Sequence, residues 1–231
     1  SKGLPVFFVK RPVKLEGDGV VYIRKPEEMA ETIGLGAPAT LALELDSASY
    51  SSVKRIAAIF PQAEIANASA LMRTLRAVKT EAEQQLIRES GIRQEHVYRL
   101  IPHLYQTGMS DLELQVEIER RSRLEGCLGQ FRISGDTMEL YMGNVLTGDN
   151  ADSPTPYDFA MGGRGLNPSL PVGCDGSIIE PGHSVMVDMN GDYTGYMTDM
   201  TRTFRVGSLE PLAVKAHQCS IDIVHALADR A

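Results

Sequence analysis

Two aspartates carry the most chemistry in this chain. Asp188 and Asp199 stand eleven residues apart within the stretch Ser184 to Phe204, where β-branched and apolar residues recur around turn-forming ones. That pattern predicts a β-hairpin over Val185 to Phe204. If the chain turns at Tyr193-Thr194, with Gly195 relieving strain, Asp188 faces Asp199 directly, and directly opposed side chains have Cβ atoms about 4.5–5.5 Å apart. Two like charges that close repel, and a cation between them reverses the sign of the interaction. Carboxylate oxygens suit hard or borderline divalent ions, and a pair of such groups can bridge two metals about 3.5–4 Å apart. The rival turn is Asn190-Gly191, a strong hairpin dipeptide, which would separate the aspartates along the sheet. The residues leave both registers open. Without a metal, the pair is two solvated aspartates on a strand face.

The elements that must position this hairpin fall into two regions, residues 1–75 and 76–231. In the first, Val6–Val9 and Val20–Ile23 read as short strands with a turn at Gly17-Asp18-Gly19 between them. Pro26–Ile33 reads as a short helix and Thr40–Leu45 as a strand. Ser47 is the expected N-cap of a helix that carries Val53, Ile56, Ala57 and Phe60 on one face and stops at Pro61. Ala63–Ala66 is a further strand, and Asn67 or Ser69 starts the next helix. Strands alternating with helices predict an α/β layer domain. The second region opens with a capping box, Thr80 followed by Glu83, ahead of a helical pattern that runs to Pro102. Ser110 and Glu113 form a second box ahead of a helix ending at Gly126. Asp152–Ser169, with three prolines and three glycines, reads as a long surface loop, and Leu212–Ala228 as a final amphipathic helix.

Composition narrows the function classes. A formal net charge of −7 supplies no basic surface for nucleic acid or an anionic membrane. No apolar run approaches the ~20 residues that span a bilayer. Cys127, Cys174 and Cys219 are odd in number and widely spaced, which fits inert thiols in a reducing cytoplasm better than a disulfide scaffold.

The residues around the aspartates resemble a known family. Asp188-x10-Asp199-Met-Thr201-Arg202-Thr203-Phe204 resembles the signature of the pita-bread (creatinase, prolidase, aminopeptidase P) family, in which the two matching aspartates are metal ligands. Glu180-Pro181-Gly182 is similar to the family's turn before the first ligand strand. Gly108 to Glu113 is similar to the loop that starts its second catalytic-domain helix, and Leu75 to Glu83 to its domain junction. The resemblance covers roughly residues 40–231. It implies an α+β fold: a partial pita-bread catalytic domain preceded by a partial small α/β (creatinase-type N-terminal) domain. It also implies two divalent ions, manganese, cobalt or zinc, held by two Asp, one His and two Glu. A metal-bridged hydroxide would attack a peptide bond next to proline, in a homodimer. Asp188 and Asp199 are then metal ligands, and Thr201 can hydrogen-bond a ligand carboxylate. The expected function is a metal-dependent exopeptidase or dipeptidase of Xaa-Pro type acting on a peptide or small amide. The alternatives are a creatinase-like C–N hydrolase or a non-catalytic binding protein.

Two departures follow from the same resemblance. The chain ends in the helix after the hairpin, ahead of the family's ligating His and both Glu, and is read as truncated and inactive alone. The family's peptidases also carry a histidine upstream of the first aspartate. Here the matching position is Thr155, or Val172 in a second alignment, and no histidine stands between His103 and His183. His183 is expected to be a polar residue of the turn that leads into the hairpin, and His96, His103, His217 and His225 to be structural or solvated. Asp158 and Arg164, in the loop Pro154–Pro168, are the residues by which that loop would reshape a pocket.

Overall fold

The computed structural model describes residues 5–10, 15–33, 38–129, 142–157 and 162–230. Asp158 lies outside them. The chain divides into two compact units, one ending at Lys79 and one beginning at Thr80.

In the first unit, β1 (Phe7–Val9) pairs with β2 (Val20–Tyr22) in parallel, so the Gly17-Asp18-Gly19 turn leads into β2 without closing a hairpin. After α1 (Glu28–Ile33), β3 (Thr40–Leu43) and β4 (Glu64–Asn67) pair in parallel across the helix α2 (Tyr50–Ile59). A parallel pair needs such a crossover. The N-cap of α2 is Ser49 and not Ser47: Ser52 N donates to Ser49 Oγ at 3.2 Å, while Ser47 sits in a turn on Glu44 O. The helix α3 (Ser69–Ala77) begins where Asn67 Oδ1 accepts Ser69 N at 2.9 Å. Asp46 and Glu44, just past β3, pair with Arg73 and Arg76 of α3. These exposed pairs contribute little each.

The second unit is helices packed on an antiparallel sheet. Both capping boxes form, Thr80 with Glu83 opening α4 (Glu81–Leu104) and Ser110 with Glu113 opening α5 (Asp111–Leu124). Each satisfies backbone donors that a helix start leaves open. α4 runs through Pro102, two residues past the predicted stop. The sheet has the order β5 (Gly143–Thr147), β6 (Ser184–Asp192), β7 (Met197–Arg205). A four-residue α6 (Gly148–Ala151) follows β5. Side chains alternate across a strand, so Val185, Val187 and Met189 of β6 turn to one face. There they join Val145 of β5 and meet Val97, Tyr98 and Ile101 of α4 and Leu114 and Ile118 of α5 in the core. The described part of Asp152–Ser169 is irregular, as predicted. The last helix, α7 (Pro211–Ala228), has no buried residue, and Leu212, Ile223, Val224 and Leu227 are exposed. All three cysteines are free. Among the described residues no helix is long and apolar enough to cross a membrane.

Candidate metal centre

The hairpin register is neither of the two open in the sequence. β6 and β7 pair Asp188 with Thr201 and Asn190 with Asp199, around a loop of Tyr193 to Tyr196. Asp188 and Asp199 are therefore diagonal neighbours, offset by two residues from direct opposition, and diagonal pairs keep to one face of the sheet. That face is the one turned away from α4. Asp199 is close enough for its charge to act on the Asp188 carboxyl group.

Three elements set this register. Asp192 Oδ1 accepts Gly195 N at 2.7 Å and closes the loop on itself. Ser90 Oγ, on α4, accepts Tyr193 N at 3.3 Å and donates to Tyr196 O at 2.9 Å. Thr194 Oγ1 donates to Leu86 O, and Tyr196 Oη to Glu83. The loop is docked on α4. The predicted alternative turn at Asn190-Gly191 lies inside β6, where Gly191 packs against Gln94 so closely that a Cβ there would overlap the Gln94 side chain and the Tyr193 ring.

Thr201 Oγ1 donates to Asp188 Oδ1 at 2.7 Å, the bond expected for it. On the other side of Asp188, Asn144 of β5 is its register partner, so Asn144, Asp188 and Thr201 form one row across the three strands. Asp188 is half-buried and Asp199 exposed. Burial raises the pKa of Asp188; the Thr201 hydroxyl opposes this, and the neighbouring Asp199 carboxylate adds to it.

These residues fit a divalent cation. The donors are hard carboxylate oxygens, two anionic groups are crowded together, and a hydroxyl fixes the orientation of one of them. Among the described residues no group of three or more His, Cys, Asp or Glu that could hold a metal ion is gathered.

The positions read against the family's histidine hold none. Val172 is buried, and Thr155 Oγ1 donates to Pro171 O at 3.2 Å. His183 lies at the foot of the hairpin, where its Nδ1 accepts Glu180 N at 3.3 Å and stands 3.3 Å from Thr147 Oγ1, a structural setting. His96, on α4, is exposed and lies 3.7 Å from Glu125. Arg164 does not reach the aspartates: it pairs with Asp175 at 2.9 Å and donates to Asp149 O.

Two residues of α4 at the centre escaped the sequence reading. Tyr98 Oη accepts Met189 N at 3.0 Å and donates to Met200 O, and Gln94 Nε2 donates to Met189 O at 3.1 Å. Burial raises the pKa of the Tyr98 phenol against the pull of the Met189 N–H, and the charges of Asp188 and Asp199 add to the rise, so it stays a donor. Nothing in their types or spacing marks them off from core residues of an amphipathic helix.

Known proteins share this architecture. The family model described as metallopeptidase family M24 matches residues 85–231. An uncharacterized peptidase of Bacillus subtilis, YqhT, is 25% identical over 205 residues, 88% of this chain and 50% of that protein. An X-Pro aminopeptidase from Thermotoga maritima superposes with a TM-score of 0.66 at 18% identity, covering 88% of this chain and 51% of the other. A Xaa-Pro dipeptidase from Bacillus anthracis gives 0.62 at 22% identity, covering 86% and 50%. The chain spans about half the length of each of these relatives. The superpositions show the fold, part of a pita-bread protein.

Proposed function

This chain belongs to metallopeptidase family M24, and from that premise we propose that Asp188 and Asp199 hold divalent cations in a metal-dependent exopeptidase or dipeptidase of Xaa-Pro type. One observation carries the reading: the two carboxylates meet on one face of the β6–β7 ribbon, with Thr201 bonded to one of them. The X-Pro aminopeptidase of Thermotoga maritima and the Xaa-Pro dipeptidase of Bacillus anthracis, which share the fold, support the choice of substrate class. When bound, such cations polarise a scissile carbonyl and make water a nucleophile near neutral pH. Asp188 and Asp199 supply the negative charge that attracts the cations, and Thr201 holds the Asp188 carboxylate in one orientation. The proposal includes a homodimer.

A creatinase-like C–N hydrolase, or a binding protein without turnover, is the second reading. It is favoured by the absence of any histidine between His103 and His183, which takes away an imidazole for substrate binding and proton transfer.

Mn²⁺ titration with a panel of Xaa-Pro dipeptides and tripeptides, on the polypeptide that bears this chain, separates the readings. Bound Mn²⁺ with proline-directed turnover, both lost in Asp199→Asn, supports the first. Turnover that survives chelation moves the protein to the second, as does ligand binding with no amide cleaved.

A further inference from the structure

A side chain from outside the sheet bonds both strands of the β6–β7 ladder. Alternate N–H groups of a central strand point to opposite neighbours. Asn190 N donates to Met142 O at 2.7 Å, on the β5 side, so Met189 N points toward β7. There it meets the Tyr98 hydroxyl at 3.0 Å, and the same hydroxyl donates to Met200 O and lies 3.3 Å from Val187 O. Met189 and Met200 are register partners. The phenol oxygen of α4 is thus wedged against the ladder, bonded to one residue of each strand. One turn away on α4, Gln94 donates to Met189 O at 3.1 Å and is itself braced by Tyr193 Oη at 3.1 Å. Both side chains are almost completely enclosed, Tyr98 at 4% and Gln94 at 1% exposure.

The position of this wedge matters. The Met189–Met200 row lies between the Asp188–Thr201 row and the Asn190–Asp199 row. It is therefore midway along the diagonal that joins the two aspartates. A hydroxyl that accepts from one strand and donates to the other ties the two backbones together at the row where the carboxylates would accommodate cations about 3.5–4 Å from each other.

We propose that Tyr98 is a positioning residue for the Asp188–Asp199 pair: its hydroxyl, bonded to Met189 N and Met200 O, sets the spacing of the two carboxylates and so their capacity for two divalent cations. The inference rests on the metal-binding reading above. Tyr98 acts through the backbone of both strands.

The test is Tyr98→Phe in the intact polypeptide, with Mn²⁺ alone as the probe, read by calorimetry and by the electron paramagnetic resonance of bound Mn²⁺. The expected result is Mn²⁺ affinity lower by about tenfold or more for at least one site, the scale of losing a group that orients a ligand, with loss of the spin-coupled signal of a Mn²⁺ pair. Val97→Ala is the control. Val97 is a fully buried neighbour on the same helix, and this change should lower the melting temperature without altering Mn²⁺ affinity or spectrum. If folded Tyr98→Phe keeps wild-type affinity and spectrum, Tyr98 is only a core residue and the inference is overturned. Should Tyr98→Phe fail to fold, Gln94→Ala carries the test: weaker Mn²⁺ binding supports the wedge, and unchanged binding overturns it. Wild-type protein that takes up no Mn²⁺ refutes the metal reading itself, and the inference falls with it.

Discussion

Asp111, at the start of α5, and Asp188, in the middle of the hairpin, are both withdrawn from water, and burial raises the pKa of both. Their surroundings differ. Asp111 is fully buried and its carboxylate accepts four N–H groups: Leu112 N at 2.8 Å, Gly176 N at 2.9 Å, Asp175 N at 3.3 Å and Asn150 Nδ2 at 3.3 Å. A carboxylate offers about four lone-pair directions, so this one is saturated. Among the described residues Asp188 receives one donor, the Thr201 hydroxyl, and has a second carboxyl group for a neighbour. A saturated carboxylate is a clasp, here tying α5 to the loop through Gly176. A carboxylate with open lone pairs beside a like charge has the donor chemistry that a divalent cation suits.

The comparison can be broken most sharply at the clasp. Asp111→Ala leaves four N–H groups without an acceptor, one buried and three part-buried, and a fully buried loss costs about 1–3 kcal/mol. With partial relaxation the expected destabilisation is about 3–5 kcal/mol in urea unfolding, the scale of dismantling a buried charged network. A loss below 1 kcal/mol would show that Asp111 is no clasp.

Asp199→Asn should behave oppositely. It removes a like charge from Asp188, and such repulsion costs about 0.2–1 kcal/mol across a strand pair. Melting in chelator should show the variant as stable as the wild type or more so, by up to about 1 kcal/mol, while calorimetry shows Mn²⁺ binding lost. A variant that loses stability and keeps its Mn²⁺ would reverse the two assignments.

How much of this was legible in the sequence differs by interaction range. Both capping boxes were readable because their partners lie three residues apart, and the hairpin because alternation is local. The candidate pair Asp188 and Asp199, and Thr201, were singled out by the residues that follow Asp199. The register was not. Local turn propensity favoured Asn190-Gly191 or a two-residue turn, whereas the loop is fixed by Ser90, Leu86 and Glu83, about a hundred residues earlier. Ser47 and Ser49 are equally good caps by type, and the turn on Glu44 O that decides between them depends on where β3 ends. Asp111 was readable only as a helix-start residue, because its partners Asn150, Asp175 and Gly176 come from a loop whose path no local pattern gives.

A smaller effect separates orientation from charge within the centre. Thr201 is exposed, and its hydroxyl is its link to Asp188. Thr201→Val keeps the β-branched shape and removes that donor. Mn²⁺ affinity should fall by about tenfold, with stability in chelator within about 0.5 kcal/mol of wild type, and Thr201→Ser should restore most of the affinity. An equal loss in the serine variant would mean that the methyl group, and not the hydroxyl, matters.

The smallest expected effect is the part of the pH dependence that Asp111 contributes. Burial raises the Asp111 pKa against the N–H groups of Asp175, Gly176, Leu112 and Asn150, which favour its charge, and the net direction is upward. The folded state therefore holds this proton more tightly than the unfolded chain, where the group titrates near 3.9. Where the unfolded state binds fewer protons, stability falls as pH rises. The contribution is thus fully present below the unfolded value and lost as pH climbs through the raised folded one. Urea unfolding of metal-free protein at a series of pH values should show wild type gaining on Asp111→Asn as the solution is acidified across that window. The opposite slope would mean that the four N–H groups outweigh burial, making the clasp an anion site in its own right and narrowing its contrast with Asp188.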